Sequence, residues 1–148
     1  MDVQPSITTR MLVAKTLGLF FGILAMIGTS MWLPESDWLT RLGFLFWYLT
    51  IGSMIGLMGV LDWHPVFDVR LPWWVRGPFI GAWMNFVLVF FAYDLTAEFM
   101  QVVEHYFGLA LSPFWFALEG AVVGGIIGWA STALGGEGPA VLENEGRY

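Results

Sequence analysis

Four apolar stretches, each near the length of a membrane span and separated by short polar breaks, constrain this chain more than any other feature. Crossing a hydrocarbon core about 30 Å thick takes about 20 apolar residues in a helix. Lipid offers the backbone no hydrogen bonds, so a span must be a helix or part of a closed barrel. The stretches fall at about 14–33, 38–61, 78–99 and 113–134. They predict an all-α integral membrane protein, a single four-helix transmembrane domain over 1–134 arranged as an up-down bundle. Residues 135–148 are rich in Gly and Glu, lack apolar periodicity and read as a flexible acidic tail.

Composition supports lipid as the solvent. Charged residues make up 12% of the chain, against about 25% in soluble domains, and the mean hydropathy is +0.70. Nine Trp and thirteen Phe fit a chain with two bilayer interfaces and a hydrocarbon interior. A net charge of −6 leaves no basic face for phosphate, which argues against nucleic-acid binding. The absence of cysteine removes disulfides, thiolate metal sites and thiol redox chemistry. The first apolar run ends in Ser30-Met31-Trp32-Leu33-Pro34, bulky where a signal peptidase needs small residues, so it is expected to be a retained span.

Orientation follows from the basic residues. Arg10 and Lys15 flank the start of the first span, Arg70 and Arg76 lie in the 62–78 loop, and Arg147 is in the tail. The two other connections hold only Arg41. Five against one places both termini in the cytoplasm of a bacterial-type inner membrane, with Glu35, Asp37, Asp94, Glu98 and Glu104 outside. Trp and Pro in the 62–78 loop predict an ordered interfacial connection, and Pro78 is expected in the first turn of the third span. The halves of the chain share no repeat, which gives no support to an inverted-repeat transporter.

The polar residues inside the spans carry the functional question. Gly52-xxx-Gly56 and the run Gly120, Gly124, Gly128 are small-residue patterns that let helices touch. Glu119 lies nearly opposite the second of these, and a carboxyl there is costly if it faces lipid. Either the fourth span has neighbours on two sides, which argues for a homo-oligomer or other membrane subunits, or Glu119 is protonated. Arg41 enters from the same side of the membrane and is the expected ion-pair partner of Glu119. Asn85 reads as a helix–helix hydrogen bond or as a pore contact.

At the end of the third span, Asp94, Glu98, Gln101 and His105 form one stripe if the helix continues. Alternatively Asp94 caps a second, interfacial helix that buries Leu95, Phe99, Val102 and Tyr106. Because 79–93 alone covers only about 22 Å, the span is expected to borrow a further turn beyond Tyr93. Glu98, Glu104 and His105, and separately Asp62 and His64, are weak candidate metal ligands without a dense motif, and no metal or other cofactor is called for. No nucleophile–base arrangement or phosphate loop is present. The leading expectation is a protein that acts by helix packing, as an accessory or scaffold subunit. A small cation- or proton-conducting channel or transporter comes second and a membrane enzyme third.

Overall fold

The computed structural model describes residues 5–64 and 68–143. Its elements are α1 (Ile7–Trp32), α2 (Trp38–Met58), a two-residue hairpin of β1 (Trp63–His64) and β2 (Val69–Arg70), α3 (Trp73–Phe91), α4 (Tyr93–Phe107), a 3-10 turn (Pro113–Trp115), α5 (Phe116–Gly135) and α6 (Ala140–Glu143). Four segments are long and apolar enough to cross a membrane: α1, α2, α3 and Pro113–Gly135. The hairpin is antiparallel, with Trp63 opposite Arg70.

Local chemistry sets most helix boundaries. Ser6 caps α1 by accepting from the Thr9 N–H. The chain then turns at Pro34, and Asp37 caps α2 through a 2.6 Å bond from the Thr40 N–H. That backbone bond holds the exposed Asp37 carboxyl below the usual carboxylate range.

The helices assemble as two glycine-mediated pairs. In the α1–α2 pair, a Cβ on Gly52 would collide with the Ala14 carbonyl, and one on Gly18 would stand 2.7 Å from the Tyr48 carbonyl oxygen. Gly56 faces Ala14 and Met11. In the α3–α5 pair, Gly77 and Gly81 interleave with Gly120, Gly124 and Gly128, backbone against backbone. The pairs join through α5 against α1 and α2, around a core that includes Ala14, Tyr48, Ile51, Ile55, Val123 and Ile127. Helix α5 is thus contacted on two sides within one chain. Those two sides are the glycine face and the face toward α1 and α2; whether a second subunit covers the rest of α5 is a separate question. Trp115, Val122 and Ile126, grouped with Glu119 on sequence grounds, remain on the exposed surface.

Three boundary expectations change. Helix α3 starts at Trp73 rather than near Pro78, so Pro78 lies within the helix after its first turn. The span gains its missing length at that end: 19 residues give about 28 Å. It borrows nothing beyond Tyr93, because the backbone breaks at Ala92 (φ −124°, ψ 36°) and a separate helix begins. Ala92 occupies the N-cap of α4 without a side-chain cap bond, and Asp94 lies in the first turn instead of capping it. The inner face of α4 is Thr96 and Met100, flanked by half-buried Leu95, Phe99 and Val102, while Tyr106 is 72% exposed. Gly108, left-handed at φ 68°, ends it.

The start of the acidic tail is docked over its described part. The Ser6 N–H donates to Gly135 O at 3.0 Å and the Gly138 N–H to Gly59 O at 2.9 Å, and Val141 is fully buried. Apolar periodicity could not reveal this, since one buried Val and backbone bonds do the holding.

Candidate intramembrane site

Three neighbouring helices each contribute to one polar cluster in the half of the bundle nearer α4. Tyr48 and Trp47 come from α2, Asn85 from α3 and Glu119 from α5. The glycine pairs create it. A Cβ on Gly120 would meet the Asn85 Cβ at 2.8 Å, so the lack of a side chain there lets Asn85 lie against α5.

The hydrogen bonds fix each group in turn. The indole N–H of Trp47 can only donate, and it donates to Asn85 Oδ1 at 3.0 Å. That decides which way the amide faces and leaves Asn85 Nδ2 to donate to Glu119 Oε2 at 2.6 Å and to Phe116 O at 3.2 Å. The Tyr48 hydroxyl donates to the same Glu119 oxygen at 2.7 Å. Asn85 is fully buried and Tyr48 is 5% exposed, whereas the Glu119 side chain keeps an open surface. Two donors converge on Oε2, and Oε1 is left without a hydrogen bond among the described residues. Among the described residues it has no basic partner, the one ion pair being Arg76–Glu137.

Glu119 also lines a half-open cavity of about 290 Å³ between α1, α2, α4 and α5. Its walls are apolar and aromatic: Phe21, Trp32, Phe44, Leu95, Phe99 and Phe116. The threonine hydroxyls in the wall are occupied by their own helices. Thr29 donates to Ala25 O at 2.8 Å, and Thr96 bonds Ala92 O and Tyr93 O at 2.9 Å.

The remaining candidate residues lie elsewhere. Arg41 does not pair with Glu119: its guanidinium donates to Ser36 Oγ at 3.1 Å and to Pro34 O at 2.8 Å, closing the turn before its own helix. Its place one turn into α2 leaves those oxygens nearer than the deeper carboxylate. Asp94, Glu98, Glu104 and His105 are exposed on α4, where the His105 ring packs edge-on against Tyr106. Asp62 lies at Gly138, where an added Cβ would stand 3.0 Å from its Oδ2. The side chain of His64 is outside the described part. Among the described residues, no three His, Asp or Glu side chains come together as a metal site.

Two residues read from sequence as flanking charges are structural. Arg10 is 1% exposed and donates from Nε to Gly56 O at 3.0 Å, from Nη2 to Ile55 O at 3.5 Å, and from Nη1 to Thr132 Oγ1 at 3.1 Å and to Gly136 O. Arg76 donates to Met58 O, Gly59 O and Leu61 O and pairs with Glu137 at 2.6 Å. Both cations satisfy the bare carbonyls at the C-terminus of α2, where the helix dipole favours positive charge. Tyr48, Trp47 and these two roles were missed in the sequence. No family model, curated protein or solved structure matches the chain.

Proposed function

We propose that the protein works through Glu119, as a small membrane carrier that loads a proton or a cationic group onto this carboxylate within the bilayer. One observation carries the reading: the Glu119 carboxyl is held by Tyr48 and Asn85, has no basic partner among the described residues and opens onto a cavity. A structural carboxyl in hydrocarbon is expected to be neutralised by a cation or enclosed by donors on both oxygens. Here both donors hold Oε2. The loading step is an exchange: a carboxyl releases its proton as a cation pairs with the carboxylate, and the reverse step restores the proton.

The basic residues assign the sidedness. Arg10, Lys15, Arg70 and Arg76 belong to the end shared by both chain termini, Arg41 to the other. In a cell membrane of the bacterial inner-membrane type, the termini then face the cytoplasm and the Glu119 cavity occupies the outer half. The second reading is a packing subunit, favoured by the exposed Trp115, Val122 and Ile126 surface of α5, which a membrane partner could cover.

The test uses proteoliposomes with a pH-sensitive dye inside. After an external pH step, wild-type protein collapses the gradient faster than Glu119→Gln, which keeps the shape but cannot titrate. Equal rates overturn the proposal. Equal rates together with a membrane partner co-purifying at fixed stoichiometry would favour the packing-subunit reading.

A further inference from the structure

We infer that the cation accepted at Glu119 is a small hydrophobic amine or quaternary ammonium with an aromatic or alkyl body, and that it enters sideways from the bilayer. The inference rests on the Glu119 reading above and adds the ligand class and route. The cavity wall holds one formal charge, a carboxylate, and the remaining surface is hydrocarbon and aromatic ring. With the Thr29, Thr96 and Tyr48 hydroxyls already engaged, the Trp32 indole N–H is the one uncommitted side-chain donor in the wall among the described residues, too few for a sugar and with no cation beside it for an anion. What it does offer is a counter-ion, ring faces that attract a desolvated cation, and apolar volume for its body. About 290 Å³ lies at the lower edge of drug-sized pockets, which limits the occupant to a small molecule.

The route is visible as a second cavity on the lipid side of α5. It reaches exposed Val122 and Ile126 and shares Phe21, Phe99, Phe116, Val123 and Glu119 with the first. A ligand dissolved in the bilayer therefore meets Glu119 without passing through water. Phe99 stands where the two volumes meet. Its ring lies 5.2 Å from Trp32 and 5.5 Å from Phe116, bridging α1 and α5 from the α4 side. Above it, the exposed face of α4 carries Asp94, Glu98 and Glu104, and the α1–α2 turn adds Glu35 and Asp37. This acidic rim raises the local concentration of cations and repels anions.

The probe is benzyltrimethylammonium, titrated calorimetrically into wild-type protein in lipid nanodiscs, with benzenesulfonate as the anionic control. Saturable binding of the cation alone is expected. Glu119→Gln should weaken it about tenfold, as loss of the one charge partner at a partly open site does. A second variant guards against misfolding. Gly28 lines the cavity, and a Cβ there meets only the Trp32 ring at 4.0 Å, so Gly28→Leu fills space without striking backbone. It should weaken binding about tenfold with the melting curve retained. Cation binding insensitive to both substitutions, or benzenesulfonate binding as well, overturns the inference. So does Glu119-dependent proton movement without saturable cation binding, which would leave the carrier reading standing. Loss of both signals in folded protein overturns the two together.

Discussion

The two ends of the bundle treat buried charge in opposite ways. At the end holding both termini, the Arg10 and Arg76 guanidiniums are surrounded by the carbonyls that finish α2, and Glu137 supplies a counter-charge. Only the Nε of Arg76 lacks a partner among the described residues. At the α4 end, Glu119 has two donors on one oxygen, no cation among the described residues and an adjoining cavity. Charge closes the first end and stays available at the second. The difference separates residues that hold the fold from residues that can meet a ligand, although all of them would be costly in lipid.

Substitutions can break that contrast. Arg10→Ala should have the largest effect, stranding the Gly56 and Gly136 carbonyls and costing about 3–5 kcal/mol of stability. Unfolding in mixed detergent micelles would measure it, and a loss below about 1 kcal/mol would contradict the structural role. Gly124→Ala should follow, costing about 1–3 kcal/mol by forcing α5 away from the Gly77 carbonyl. The same unfolding assay reads it, and cross-linking between α3 and α5 would report the separation. Glu137→Gln leaves Arg76 without its counter-charge at a partly exposed site, so about 1 kcal/mol is expected, shrinking as salt is raised. Glu119→Gln should have the smallest effect on stability, within about 1 kcal/mol in either direction, because an amide can still accept from Tyr48. If Glu119→Gln destabilised the protein as much as Arg10→Ala, the contrast between the ends would disappear.

The spans were legible because hydropathy over twenty residues reports directly on lipid, and the glycine rows because close approach needs small residues at helical spacing. The limits of α3 were not. Trp73, Trp74 and Val75 suit an interfacial loop as well as a helix start, and Ala92 has no chemistry that announces a break. Arg10 and Arg76 were read as orienting charges because their partners are backbone carbonyls, which any residue possesses. In the polar cluster Asn85 and Glu119 were each conspicuous, yet Glu119 was assigned to Arg41 because both enter from the same side at nearby depths. Asn85 is the closer match in depth. Asn85 lies seven residues before Ala92 and Glu119 six after Pro113, so both sit about 10 Å from that end. Arg41 lies only about 6 Å beyond Asp37. Tyr48 was hidden because one tyrosine among so many aromatics draws no notice until its hydroxyl has an acceptor.

The docking of residues 135–141 also bears on the order in which the protein is made. Helix α1 is synthesised before α5, yet its buried Arg10 and its Ser6 N–H wait for Thr132, Gly135 and Gly136 at the end of α5. Among the described helices, α1 is thus begun before the others and completed only with α5. Until those residues are made, the Arg10 guanidinium has only the α2 carbonyls of Ile55 and Gly56, and half of its donors lack their final acceptors.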